Sequence, residues 1–235
     1  MSLAAEVLRD RPLIYFHAAA GSFDAVLHDW SGNGHDMTWG TLPSAGVVAD
    51  GGRGLNLDAT STGSIASSGW MANNSMTIEF WFTTTSSSFQ SVWNRRAANN
   101  VWGAYHDPTG ASLGTAGVGI VVGDNTGGHS SAILATTSTY HDGRLHHAVC
   151  IFAYDGSNTN GSIYVDGALV VGPTSLFSGV VNTQTETLYL GGENTTRRWN
   201  GTLDHCALYD FELDRARVQA HYLAGRLPQP RVLVR

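Results

Sequence analysis

The chain has 235 residues, a formal charge of −6, 42% hydrophobic content and only 14% charged residues. That balance excludes a disordered chain, which needs low hydrophobicity and high net charge, and it excludes the basic stripe that a nucleic-acid binder presents to phosphate. No run of 18 apolar residues occurs, so no membrane insertion is expected, and the length suits one large β domain.

Met1 to Asp10 (MSLAAEVLRD) lacks a basic start followed by an apolar stretch, so no secretory leader is expected; residues 2–9 read instead as a short opening helix. Strands are predicted at Leu13 to His17 and Gly54 to Asp58. Met76 to Phe82 (MTIEFWF) alternates, with Met76, Ile78, Phe80 and Phe82 on one face and Thr77, Glu79 and Trp81 on the other. Further strands are expected at Val101 to His106 and Gly117 to Val122. Leu145 to Tyr154 is apolar on both faces, which predicts a strand covered on both sides. Ser162 to Val171 holds two strands around Asp166-Gly167, a dipeptide suited to the positive φ angles of a hairpin turn. In Thr187 to Leu190, the leucines point inward and Tyr189 outward.

Asp214 to Ala224 predicts a closing helix. Asp214 caps it, Leu213 and Val218 form a hydrophobic staple, and Gly225 is a natural stop. No repeat or linker interrupts residues 1–225, so they read as one domain. Residues 226–235 (RLPQPRVLVR) form a tail whose apolar side chains need burial, and docking on a neighbouring chain is expected, with the chain's own domain as the alternative. The pattern as a whole fits an all-β antiparallel two-sheet jelly-roll sandwich with a short N-terminal and one C-terminal helix.

Catalysis is not expected. Sugar hydrolysis needs two carboxylates flanking the bond, and of Glu6, Glu79, Glu186, Glu193 and Glu212 only Glu212 has acids two residues away, at a helix entry where Asp210 and Asp214 read as capping and solvated charge. No Gly-x-Ser-x-Gly elbow occurs. His146 and His147, adjacent in a strand, face opposite ways and cannot share one metal ion. Cys150 and Cys206 lie in apolar runs, as two buried thiols or as one disulfide. Sugar binding needs aromatic platforms beside polar groups. Trp81, on the face of Glu79 and Thr77, is one candidate, and Trp93, Trp102 and Tyr105 form the best patch. The tight loop Asp29-Trp30-Ser31-Gly32-Asn33-Gly34 offers hard oxygen ligands suited to calcium.

Seven stretches, in order, resemble laminin-G-like, concanavalin-A-like jelly-roll domains of the bacterial and phage type: LRDRPLIYFH (8–17), DWSGNG (29–34), TIEFWF (77–82), DGRLHH (142–147), IYVDGALV (163–170), LYLGG (188–192) and GTLDHCALYDFEL (201–213). The resemblance implies that Asp29 meets Asp204 at a Ca²⁺ site that also takes backbone oxygens near Asn33 and His35. The chain departs from many relatives in reading Asp204-His205 where they read Asp-Glu. The opening AAEVLRDRPLIYF is similar to the start of such domains in minor tail proteins of phages that infect high-GC Gram-positive bacteria. That implies a non-catalytic virion protein of the tail, assembled in the host cytoplasm, homo-oligomeric, contacting other tail proteins and adhering to host-surface glycans. Two alternatives stand beside it: a purely structural decoration or spacer protein, and a carbohydrate-binding module of a secreted bacterial enzyme.

Overall fold

Strand alternation explains most of the architecture. The computed structural model describes all residues except 1, 19–23, 48–52, 67–73, 97–99, 125–130, 182–185 and 227–235, so the expected docking of the tail lies outside the described residues. After helix α1 (Leu3–Arg9) the strands are β1 (Ile14–Phe16), β2 (Val26–Leu27), β3 (Met37–Trp39), β4 (Ser44–Val47), β5 (Arg53–Asp58), β6 (Gly63–Ile65), β7 (Met76–Thr83) and β8 (Gln90–Arg96). They continue with β9 (Asn100–Asp107), β10 (Gly117–Gly123), β11 (Ser131–Ala135), β12 (His146–Tyr154), β13 (Asn158–Val165), β14 (Ala168–Ser178), β15 (Leu188–Leu190) and β16 (Asn200–Tyr209), before helix α2 (Arg215–Arg226).

These strands form two eight-stranded antiparallel sheets. The first runs β14-β13-β12-β7-β16-β5-β4, with β1 also on β16; the second runs β11-β10-β9-β8-β15-β6-β3-β2. The main core lies between them. Ile78, Phe80 and Phe82 of β7 meet Val92, Trp93 and Trp102 of the second sheet there, with Trp199, Leu188 and Leu190. Asp166 and Gly167, at φ +51° and +76°, turn β13 into β14 as the dipeptide predicts. Cys150 and Cys206 are free thiols in this core.

A second core corrects one expectation. The Thr77–Glu79–Trp81 face of β7 is not a surface: α1 and α2 cover it, and Trp81 packs with Leu3, Val7, Val149, Ile151, Tyr209 and Val218. Every residue from Met76 to Phe82 is therefore buried, although only one face reads apolar. The helices hold through Arg217, whose Nε donates to Asp10 at 2.8 Å and whose Nη2 donates to Glu6 at 2.7 Å. Ser2 caps α1 by accepting from the Ala5 N–H, and Asp214 caps α2 by accepting from the Arg217 N–H at 2.8 Å. Gly225 does not stop α2; it lies inside the helix, pressed on the Trp81 ring.

Candidate functional site

The four aromatic residues expected to carry sugar are all enclosed. Trp81, Trp93, Trp102 and Tyr105 expose 1%, 0%, 2% and 2% of their surfaces, so none offers a free ring face. Trp93 and Trp102 point between the sheets, where burial of a large side chain stabilises the fold by about 1.5–3 kcal/mol. Trp81 stacks on His147 and Tyr222 beneath α2. Tyr105 faces the other way, out of the second sheet, but Phe89 stacks on it and the loop after β15 closes over it. The apolar pattern identified aromatic residues correctly and could not say which were already covered.

The open surface lies one strand away. Leu188 and Leu190 anchor β15 in the core, so Tyr189 between them must face outward, and it is half-buried. Tyr189 pairs across the sheet with Ser64 of β6. The loop after β15 is pinned to the sheet by Glu193, which accepts hydrogen bonds from Arg197 Nη1 at 2.7 Å, Tyr105 Oη at 2.7 Å and Asn94 Nδ2 at 3.0 Å. Gly192 brings this loop against Thr62 and Arg198, where a Cβ would collide with Thr62 Oγ1.

The result is a cleft of about 250 Å³ formed by Thr41, Thr60, Thr62, Ser64, Tyr189, Asn194 and Arg198. It is smaller than pockets that enclose a whole small molecule and suits part of an extended one. Its chemistry is hydroxyl, amide and guanidinium beside one aromatic ring. Two of its buried polar atoms, Thr62 Oγ1 and Arg198 Nε, have no hydrogen-bond partner among the described residues. Buried polar groups are rarely left so, and here both belong to residues lining the cleft. Of this set only Tyr189 was legible from the sequence as outward-facing.

The loop expected to bind calcium is organised around Asp29. Asp29 accepts four hydrogen bonds, from the N–H groups of Tyr15, Ser31 and His35 and from Ser31 Oγ at 2.8 Å. Asn33 Nδ2 donates to the carbonyls of Pro12 and Leu13. Calcium takes six to eight oxygen ligands; this carboxylate is already occupied by donors and serves as the anchor of its turn, so the loop does not fit the ion. Asp204 groups with His17 and His205. It is buried, its Oδ1 accepts from the Ala18 N–H at 2.9 Å, and Oδ1 lies 3.3 Å from His17 Nδ1. Burial opposes its ionisation, but His205 and His17 outweigh that and hold the carboxyl below its ordinary value. Burial pushes the His205 imidazole down to about 4, against the pull of Asp204.

Glu79 is the remaining buried acid of note. It accepts from His147 Nε2 at 2.8 Å, Tyr209 Oη at 2.8 Å and His221 Nδ1 at 3.0 Å, wholly beneath the helices. Burial opposes its charge, yet His221 and His147 outweigh it and hold the carboxyl well below its ordinary value. Fully buried, it ties β7 to β12, β16 and α2. His146 likewise serves structure, between Asp166 at 2.9 Å and Asp142 at 3.1 Å.

Residues 55–219 match the family model described as the concanavalin A-like lectin/glucanases superfamily, and the chain belongs to that superfamily. No curated protein matches it. Among solved structures, the binding domain of Paraclostridial Mosquitocidal Protein 1 is similar at TM-score 0.68 and 14% identity, over 92% of this chain and 52% of that one. Domain 4 of AbnA, an extracellular arabinanase from Geobacillus stearothermophilus solved with arabinotriose, is similar at TM-score 0.63 and 16% identity, over 90% and 98%. The receptor binding domain of botulinum neurotoxin mosaic serotype C/D is similar at 0.63 and 11%, over 92% and 51%. The chain thus spans about half the length of the toxin domains. At these identities the likeness establishes a shared fold.

Proposed function

We propose that this chain is a non-catalytic glycan-binding domain of a phage tail, and that the Tyr189–Arg198 cleft is where sugar binds. The observation that carries the reading is the cleft itself: one aromatic ring, a guanidinium and an amide around hydroxyl-bearing side chains, with Arg198 Nε and Thr62 Oγ1 unpartnered among the described residues. A pyranose offers an apolar face for the ring and hydroxyls for the donors. The enclosing residues come from a rigid sheet and a loop pinned by Glu193, so little order is lost on binding. The arabinotriose complex of the AbnA domain and the receptor-binding toxin domains support a binding role for a domain of this fold. The tail assignment rests on the similarity of AAEVLRDRPLIYF to the opening of phage minor tail proteins. Weak single sites gain avidity there from several copies on one virion.

The test is binding of the purified protein, multimerised on a scaffold, to polysaccharides isolated from cell envelopes of high-GC Gram-positive bacteria. Saturable binding is expected, weakened at least ~10-fold by Arg198→Ala, because a lost charged hydrogen bond is worth about 1.5–3 kcal/mol. Absence of binding to any of these polysaccharides would overturn the reading in favour of a structural virion part.

A further inference from the structure

The geometry points to a divalent transition-metal site of the zinc class at His17, Asp204 and His205, where two imidazoles and one carboxylate join β1 to β16. This inference is independent of the glycan cleft. One ligand atom from each residue lies within 4.8 Å of the others, and this is the group with such spacing among the described residues.

The backbone is built to bring them together. Neighbours in a strand normally face opposite sides, yet Asp204 and His205 contact each other. The pairing of β16 with β7 shifts register between Asp204 and Ala207, and His205 takes a φ of +44°. Such a bulge re-aims a side chain, and here it turns His205 onto the side of Asp204. His17, immediately after β1, completes the set through the pairing of Phe16 with Cys206.

The carboxylate bridges the two imidazoles: Asp204 Oδ2 and His205 Nε2 lie 3.3 Å apart, and His17 Nδ1 lies 3.3 Å from the other oxygen, Oδ1. The two rings stack at 4.3 Å, so the partly exposed His17 ring turns to join His205 on one ion. Ligands held about 2.0 Å from a tetrahedral metal stand about 3.3 Å from one another. Asp204 Oδ2 and His205 Nε2 are both buried, and neither makes a hydrogen bond among the described residues, although they face each other. Unsatisfied atoms of this kind call for an explanation, and a shared cation satisfies both. The outer groups are in place as well: Tyr15 Oη lies 2.5 Å from His205 Nδ1 and can fix the tautomer that leaves Nε2 free to ligate, while the Ala18 N–H orients the carboxylate.

The donor set selects the metal. Two imidazole nitrogens and a single carboxylate suit zinc, nickel or copper and not calcium, which takes oxygen. Asp204 and His205 are fully buried, whereas the His17 side chain is 22% exposed. His17 is therefore the most solvent-accessible of the three ligands.

Tag-free protein, stripped with chelator, is titrated with Zn²⁺ by calorimetry and followed by thermal unfolding, with Ca²⁺ in parallel. One equivalent is expected to bind, with Tm rising by about 5–10 °C at a hundredfold excess over Kd, and Ca²⁺ is expected to leave Tm unchanged. His17→Gln, at a partly exposed position, should fold normally and lose at least ~10-fold in Zn²⁺ affinity. His28→Ala, at an exposed surface histidine, should leave both the stoichiometry and the affinity of zinc unchanged. Co²⁺ in place of zinc should give the visible spectrum of a nitrogen–oxygen site, and His17→Gln should alter it. If zinc fails to shift Tm, or binds His17→Gln as well as the parent, the cluster is a hydrogen-bonded charge group and the proposal is overturned.

Discussion

The outer faces of the two sheets began as similar patterns and ended differently. On the first sheet, Thr77, Glu79 and Trp81 of β7 face away from the main core, and α1 and α2 cover them entirely. On the second sheet, Tyr189 of β15 also faces away from the core, and next to Ser64 it opens onto the cleft. An aromatic residue opposite a core strand therefore carries no fixed meaning. What decides is whether a distant segment returns to cover it. The helices α1 and α2 return to the first sheet, whereas Tyr189 of the second is left half-buried at the cleft.

The covered face should be the more fragile one, and Glu79→Gln is the sharpest way to break it. The substitution removes the charge that His147, His221 and Tyr209 surround and leaves those donors buried. Breaking a buried charged pair costs about 3–5 kcal/mol, so Tm should fall on the order of 10 °C. The pH profile adds a second arm. The folded Glu79 carboxyl lies below its ordinary 4.5, so its contribution is present above that value and fades as pH falls below it. The His221 imidazole is desolvated, but Glu79 outweighs this and raises it above 6.5; its contribution is full below 6.5 and fades as pH rises through the raised value. The gap in Tm between parent and variant should therefore be widest between about pH 4.5 and 6.5 and close in acid. An unchanged Tm would mean that the helices hold by apolar contact and the Arg217 ion pairs without help from Glu79.

Gly225→Ala probes the same cover with a reversed sign. Inside an exposed helix the change favours folding by about 1 kcal/mol. In α2 the added Cβ would run into the Trp81 ring, and overpacking of that kind costs about 1–3 kcal/mol. A net loss of about 1 kcal/mol, read as a Tm lower by about 3 °C, is expected. A rise in Tm would show that α2 can lift off Trp81 at little cost.

Local signals carried the fold a long way. Alternation placed β7 and β15, Asp166-Gly167 placed the hairpin, and the apolar run of β12 announced a strand covered on both sides. Val149 and Ile151 do face the helices while Cys150 and Phe152 face the other sheet. Short strands such as β2 and β6 carry too few residues to show a period. The site was less legible because it depends on cover and on a bulge. Glu79 and Trp81 read as exposed since the cover comes from residues some 70 to 140 positions away, as the Glu79–His221 bond shows. The grouping of Asp204 with His205 contradicts strand alternation, and only the shifted register and positive φ reveal it. Arg198 and Asn194 sit in a loop with no periodic pattern, so their convergence on Tyr189 came from the fold alone.

The smallest expected effect on stability is the one that separates the two faces most cleanly. Tyr189→Ala removes a half-buried ring whose outer side lines the cleft, while Leu188 and Leu190 keep β15 anchored. The loss should stay below about 1 kcal/mol, so Tm should move by less than about 3 °C, since no core cavity opens. Binding to envelope polysaccharide should nonetheless fall at least ~10-fold, because an aromatic contact at the centre of a small site carries a large share of its energy. Large losses on the covered face with little change in affinity per folded molecule, and the opposite at Tyr189, would assign stability to one sheet and recognition to the other. If Tyr189→Ala instead cost as much stability as Glu79→Gln, the ring would be part of the core, and the division between the two faces would fail.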